Sequence, residues 1–173
     1  MQIHGLNYIP IPKNDNSFFA AFNASKILTA VTDIPTLRSI IARYIEMHLS
    51  DYKVGLYGNP AELMTHVCQF KYFDLKHSTH QNLSVGAIHI QALAETLSKT
   101  IMVIAMREHT TTPHIECMHG ERYLTMREPI FVYREGAHYS GMQLAPGHSV
   151  QSIIDALKHP SIAAGDQKTA QMI

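Results

Sequence analysis

An extended segment passes into a helix within the sequence Ile11-Pro-Lys-Asn-Asp-Asn-Ser17-Phe-Phe-Ala-Ala-Phe22. Residues 13–16 are polar and rich in the Asn and Asp that tolerate turn conformations. Ser17 then opens an apolar helix, where a Ser is most often an N-cap. The same position also suits a nucleophile, because free backbone N–H groups and the positive end of the helix dipole can stabilise an oxyanion there. On this stretch alone, the capping role is the favoured interpretation.

A second motif, near the other end of the chain, changes that balance. The segment 130–133 is typical of a strand, Gly136 marks a turn, and the sequence His138-Tyr-Ser-Gly-Met-Gln-Leu144 follows. The connection between the two apolar segments is short enough for a β-hairpin. A lone His on a strand is more often structural than catalytic, so His138 gains weight only in combination with the first motif.

The two motifs together resemble those of the ovarian tumour (OTU) family of cysteine proteases, which remove ubiquitin. That family carries Asp-Gly-Asn-Cys-Leu/Phe-Phe at the start of a helix, and His-Tyr-x-x-Leu on a strand near the end of the domain. This chain has Asn14-Asp15-Asn16-Ser17-Phe18-Phe19 and, later, His138-Tyr139. Residues 37–46 are similar to the family's Leu-Arg helix, and residues 86–94 to the stretch before its central strand. The resemblance covers about residues 6–144.

The resemblance implies a fold and a set of site residues. The fold is α+β, a small mainly antiparallel sheet flanked by helices in a papain-like arrangement. The nucleophile position falls on Ser17 and the general base on His138. Asn14, Asp15 and Ser140 are candidates for orienting the imidazole or stabilising the oxyanion, and Asn14 is favoured as the partner of the second imidazole nitrogen. The expected partner is ubiquitin or polyubiquitin.

The chain departs from the family pattern where the chemistry is concentrated. Ser17 replaces the nucleophilic Cys, Asn14 stands where Asp is usual, and Ser140 stands where many members have Asp or Asn. Leu144 also comes later after the histidine than in the family. Some members take the orienting acid from upstream of the nucleophile, a place where Asp15 or Asn7 could serve here, although no motif supports that transfer.

The Ser at position 17 bears directly on activity. A hydroxyl is far less acidic than a thiol, and a site built for a Cys–His pair seldom activates it. The sequence therefore predicts a deubiquitinase-like cysteine protease, cleaving after the ubiquitin C-terminus, in an inactive form. An introduced Cys→Ser change is the favoured explanation, and the alternative is a natural, non-catalytic, ubiquitin-binding pseudoenzyme. A serine hydrolase is disfavoured because no Gly-x-Ser-x-Gly is present, and a metalloenzyme because neither His-Glu-x-x-His nor Cys-x-x-Cys is present.

Composition limits the remaining classes of function. The 173 residues include 14 basic and 14 acidic side chains and no basic run, which disfavours nucleic-acid binding. No apolar run is long enough to cross a membrane, and the first residues lack the charged and apolar pattern of an ordinary signal peptide, so none is expected. Two cysteines without a disulfide pattern predict a cytosol-like compartment, which includes the cytosol of a host cell for an exported effector. A monomer without a cofactor is expected.

Hydrophobic periodicity predicts the order of elements in one domain, residues 1–160, followed by a polar tail, residues 161–173. Helices are predicted at 17–31, 36–49, 59–73, 86–98 and after Ser149. Strands are predicted at 3–11, 100–105, 130–133 and 137–144, and a further hairpin from 115–119 and 122–125.

Three side chains near the further hairpin could bind a metal. His114, Cys117 and His119 are the residue types of a zinc site, but strand alternation places His114 on the opposite face. A closed zinc site needs four ligands and no fourth has useful spacing, so no metal is expected. His77 and His80 are best explained as members of a solvated polar loop.

Overall fold

A computed structural model describes residues 2–14, 16–26, 32–51, 60–71, 85–107 and 109–158. Several sequence predictions lie outside these residues: Asp15, residues 27–31 of the first predicted helix, the loop with His77 and His80, and the tail 161–173. The strands are β1 (Gln2–Ile3), β2 (Leu6–Ile9), β3 (Ile101–Met106), β4 (Pro113–His119), β5 (Ile130–Glu135) and β6 (His138–Leu144). The helices are α1 (Ser17–Ser25), α2 (Ile34–Met47), α3 (Pro60–Lys71), α4 (Ala87–Leu97) and α5 (150–158).

The six strands form one mixed sheet in the order β1-β2-β6-β5-β3-β4. Only β3 and β5 pair in parallel, and the other neighbours are antiparallel. The hairpin predicted from the second motif is confirmed: β5 and β6 pair with Glu135 opposite His138, so the turn consists of Gly136 and Ala137. The α+β, mainly antiparallel architecture predicted from the sequence is therefore confirmed.

Both faces of the sheet are covered by helices. Along β3, Ile101 and Val103 pack into the core formed with α1, α2, α3 and α4, while Met102 and Ile104 pack on the opposite side with α5. This two-residue alternation explains why the whole of residues 101–105 is buried and reads as a continuous apolar run. None of the described helices is long and apolar enough to span a membrane.

Helix α1 packs closely against β6, and this contact positions the site. A Cβ on Gly141 of β6 would lie 3.0 Å from the Cβ of Ala24, so glycine permits the close approach. The helix is shorter than predicted and ends at Ser25, because Lys26 is extended (φ −72°, ψ 134°). The Asn23 side chain then bonds both the N–H and the C=O of Thr32, which draws the chain back toward the helix end.

The second hairpin predicted from sequence, 115–119 with 122–125, is wrong. β4 pairs with β3, and Glu121–Tyr123 forms a 3₁₀ turn instead of a strand. Gly120 begins that turn in the left-handed region (φ 68°), and its C=O accepts a hydrogen bond from the Thr100 hydroxyl at 2.7 Å. β4 pairs with the buried, apolar strand β3. The charged segment after Gly120 therefore does not pair with β4, and it turns back across α4 instead.

Candidate active site

The two sequence motifs meet in space. The backbone N–H of Tyr139 donates a hydrogen bond of 3.0 Å to Ser17 Oγ, joining residues 122 positions apart. Ser17 is buried, with 2% of its surface exposed. Phe18 supports the contact, because its ring packs edge-on against Tyr139 at 5.2 Å between centroids. The N-terminus of α1 therefore lies directly beside the start of β6, where His138 is located.

A second serine of α1 makes an equivalent contact. Ser25 Oγ accepts a 2.9 Å hydrogen bond from the N–H of Met142 and donates to the C=O of Ala21. The hydroxyls of Ser17 and Ser25 thus each satisfy a backbone donor of β6. An oxygen accepts such a bond better than a thiol sulfur, which is a weak acceptor. Ser17 therefore contributes to the packing of α1 on the sheet, whatever its chemical role.

His138 contacts a pair of hydroxyl groups through one ring nitrogen. Its Nε2 lies 3.3 Å from Ser140 Oγ, and Ser140 Oγ lies 2.9 Å from the Tyr8 hydroxyl. Ser140 is buried, with 1% of its surface exposed. The other nitrogen, His138 Nδ1, is also buried and has no hydrogen-bond partner within the described part of the chain. Of the candidates for orienting His138, the structure brings Ser140 to the ring.

Asn14 organises the turn before α1. Its Oδ1 accepts the N–H of Asn16 at 2.8 Å, and its backbone C=O accepts the N–H of Ser17 at 3.1 Å. Asn14 is the residue favoured from sequence as the partner of the second His138 nitrogen, and its side-chain oxygen is used within the turn. The backbone N–H groups of Asn16 and Ser17, which lie at the helix start where an oxyanion would bind, are therefore already bonded. An oxyanion would have to displace these two bonds.

Arg38 is a site residue that the sequence analysis missed. The residue is 1% exposed, and its guanidinium donates to Asn16 Oδ1 from Nη2 at 2.7 Å and from Nε at 3.2 Å. Nη1 donates to the C=O of Phe70 at 3.3 Å, and the charge lies over the rings of Phe19 and Phe70. Arg38 therefore holds the residue before Ser17 in place.

The sequence contains one indication that Arg38 is buried. The helical period places this cation beside the buried stripe that includes Leu37 and Ile41.

A pair of histidines connects α3 and α4 on the far side of Arg38. The N–H of Gly86 donates to His89 Nδ1 at 2.8 Å, so the proton of the neutral ring is on Nε2. That nitrogen lies 2.9 Å from His66 Nε2 and donates to it. His89 also stacks on Phe70 at 4.2 Å. Burial, with smaller effects from His66 and Arg38, lowers the pKa of His89 to about 3, and burial lowers the pKa of His66.

The lowered pKa of His89 makes folding sensitive to acid. Between its ordinary pKa of 6.5 and the folded value of about 3, the unfolded chain binds a proton here that the folded chain does not. The contribution is therefore complete above pH 6.5 and is lost as the pH falls, by about 2 kcal/mol at pH 5. Urea unfolding at pH 7, 6 and 5 measures this loss. We expect His89→Gln to flatten the dependence and the exposed control His148→Gln to leave it unchanged; an unchanged slope in His89→Gln would contradict the assignment.

An ion pair fixes the turn that carries His138. Arg134 donates to the Glu116 carboxylate from Nε at 2.7 Å and also from Nη2, and its Nη1 donates to the C=O of Gly136 at 2.7 Å. A cleft of about 490 Å³ opens beside this turn, with Ala137 and Tyr139 among the described residues that line it. Neither Ser17 nor His138 is among the described residues that line this cleft.

The residues considered for a metal do not assemble. No three His, Cys, Asp or Glu side chains cluster suitably for a metal within the described residues. His119 Nδ1 contacts Gln91 Oε1 at 3.2 Å and lies 3.9 Å from Cys117 Sγ. Partial burial of the thiol raises the pKa of Cys117, although the residue as a whole is exposed, and burial lowers the pKa of His119, so Cys117 is not an activated nucleophile.

The fold and this site define a cysteine-protease-like domain, and comparison gives its family. The family model for OTU-like cysteine proteases matches residues 20–139. The chain belongs to the OTU-like cysteine protease family, as the sequence motifs predicted. The match includes His138 and begins just after Ser17, so the assignment to the family does not depend on the motif that contains Ser17. No curated protein matches the chain in sequence.

Solved structures show the same fold at low sequence identity. An ovarian tumour domain solved in complex with ubiquitin is 14% identical, with a TM-score of 0.58, covering 79% of this chain and 69% of that one. The viral OTU domain protease of Farallon virus is 21% identical, with a TM-score of 0.54 and coverage of 80% and 84%. That of Taggert virus is 9% identical, with a TM-score of 0.57 and coverage of 83% and 82%.

Proposed function

We propose that this chain is a deubiquitinase-like cysteine protease in an inactive form, because Ser17 occupies the nucleophile position. The observation that carries this proposal is the 3.0 Å bond from the Tyr139 N–H to Ser17 Oγ, which brings the nucleophile position next to the residue that follows His138. The structural neighbour solved with ubiquitin supports the choice of partner. Two free cysteines, Cys68 and Cys117, support action in a reducing, cytosol-like compartment.

The chemistry of the proposed active form follows from the residues present. A thiol at position 17 would lose its proton to His138 and attack the carbonyl carbon of the C-terminal residue of ubiquitin. The tetrahedral intermediate would expel the amine, which takes the proton back from His138, and water would then release ubiquitin. Ser17 stops this sequence at the first step, because its hydroxyl has no accessible anionic form at neutral pH.

A natural pseudoenzyme is the second candidate function, and one observation favours it. Ser17 Oγ accepts a buried backbone hydrogen bond in the same manner as Ser25, a role in which an oxygen is better than a sulfur. A serine that serves the packing of α1 on β6 is expected in a protein that binds ubiquitin without cleaving it.

Covalent capture tests the proposal. A ubiquitin probe with a cysteine-reactive C-terminus should not label the chain as it stands, although Cys68 and Cys117 are exposed, because neither thiol belongs to the proposed site. The Ser17→Cys variant should be labelled, also when Cys68→Ser and Cys117→Ser are added. His138→Ala should abolish the labelling.

The outcomes of this assay separate the candidates. Labelling that depends on position 17 and His138 supports an inactivated protease. Ubiquitin binding without labelling of Ser17→Cys favours the pseudoenzyme. Absence of both binding and labelling removes ubiquitin from the proposed function.

A further inference from the structure

The hydroxyl groups of Ser140 and Tyr8 extend the site beyond the residues that the family resemblance supplies. Tyr8 lies on β2 opposite Met142 of β6, and Ser140 is two residues from Met142 on the same face of the sheet. This diagonal relation lets a tyrosine reach across the strand pair, and the two oxygens lie 2.9 Å apart. Ser140 in turn contacts His138 Nε2 at 3.3 Å. The three side chains form a continuous chain of possible hydrogen bonds.

The single proton of Ser140 decides how this chain is arranged. Ser140 is buried, and its two side-chain partners within the described residues are Tyr8 and His138. If the Ser140 proton goes to His138 Nε2, the imidazole proton must be on Nδ1. If the Ser140 proton goes to the Tyr8 oxygen, Nε2 keeps its own proton and donates it to Ser140, and Nδ1 carries a lone pair.

The environment of His138 Nδ1 favours the second arrangement. This nitrogen is buried and has no partner within the described part of the chain. A buried donor without an acceptor is rarer than a buried acceptor without a donor, so a lone pair is better tolerated there than an N–H. Tyr8 is half-buried, so its own hydroxyl proton can reach solvent after its oxygen accepts the Ser140 proton.

We infer that Tyr8 is a positioning residue which, through Ser140, sets the tautomer of His138 and leaves Nδ1 as its proton-accepting nitrogen. The catalytic meaning of this tautomer rests on the function proposed above, whereas the tautomer itself is a property of the present chain. A neutral Tyr–Ser pair thus takes the orienting place that an Asp or Asn has in many family members.

NMR of the His138 ring nitrogens in the full chain tests the inference directly. We expect the Nε2-protonated tautomer in the unaltered protein. Tyr8→Phe removes the acceptor of the Ser140 proton, so we expect a shift to the Nδ1-protonated tautomer. Tyr133→Phe is the matched control: its ring packs edge-on against Tyr8 at 5.9 Å, and it removes a neighbouring hydroxyl outside the proposed chain of hydrogen bonds. An unchanged tautomer in Tyr8→Phe, or an equal shift in Tyr133→Phe, overturns the inference.

A second variant and an activity measurement complete the test. The Ser140→Ala variant breaks the connection from Tyr8 to His138. Adding Tyr8→Phe to Ser140→Ala should therefore leave the NMR signals of the His138 ring nitrogens as they are in Ser140→Ala alone. A further change in those signals would contradict a route through Ser140. In the Ser17→Cys background, Tyr8→Phe should lower kcat about 10-fold or more and leave KM unchanged, because a general base accelerates the chemical step and does not bind the substrate. If Ser17→Cys is inactive, the proposed function fails, while the NMR result still decides the role of Tyr8.

Discussion

The Ser17→Cys variant is expected to hydrolyse a fluorogenic ubiquitin amide at least about 10³-fold faster than the background rate of the assay, which the unaltered chain should not exceed. The reason is that a thiol beside a histidine reaches its anionic form at neutral pH, whereas a hydroxyl does not. The site already brings the N-terminus of α1 to the start of β6. Steady-state kinetics at pH 7 measure the gain.

Two further variants make this result specific. Ser25→Cys places a thiol two turns further along the same helix, at a serine that makes the same kind of bond to β6, but away from His138. It should remain inactive. His138→Ala in the Ser17→Cys background should lose most of the gain, because the thiol then lacks its base. Activity of Ser25→Cys, or persistence of activity without His138, would show that hydrolysis does not occur at the proposed site.

Arg38→Ala is expected to cost about 3 kcal/mol or more of the free energy of unfolding. The change leaves Asn16 Oδ1 and the C=O of Phe70 without this donor and opens a cavity between two aromatic rings. Arg38→Lys should recover only part of the loss, because an ammonium cannot reproduce the two bonds that the guanidinium makes to Asn16. Urea unfolding at pH 7 measures all variants.

The control for Arg38 lies on the same helix. Arg43 is exposed, so Arg43→Ala should change the free energy of unfolding by no more than about 0.5 kcal/mol. A similar small effect for Arg38→Ala would show that the buried guanidinium does not hold the turn before Ser17. Asn16 immediately precedes the nucleophile position. We therefore also expect Arg38→Lys to lower the hydrolysis rate of the Ser17→Cys variant by a larger factor than the loss of folded protein alone would produce.

Much of the architecture could be predicted from local sequence patterns. The helical period of α2, its start near Pro35, and the two apolar segments joined through Gly136 depend on neighbours within a few residues, and the structure confirms them. The end of α1 could not be predicted in the same way, because the side chain of Asn23 bonds Thr32 across a segment without periodicity. The partner of β4 likewise depended on which distant strand offered a buried face.

The residues of the candidate site also fall into two groups, those that short motifs predict and those that only the folded structure brings together. The sequence named Ser17 and His138 from motif order, and Asn14 and Ser140 from their places in those motifs. Arg38 was missed because a cation in an apolar helix face gives no indication of its partners. The link from Tyr8 to Ser140 was missed because these residues are 132 positions apart.

The sequence by itself determined the family of this protein, and it predicts position 17 as the nucleophile position, because both depend on short motifs whose order can be read without a structure. Only the tertiary structure decided which groups those motifs touch: Asn14 bonds its own turn, Ser140 contacts His138, and Tyr8 contacts Ser140. The physical reason is that hydrogen-bond partners within a sheet depend on strand order and register. Both were set by burying the two faces of β3 and β5 under helices, a constraint that acts on the whole chain.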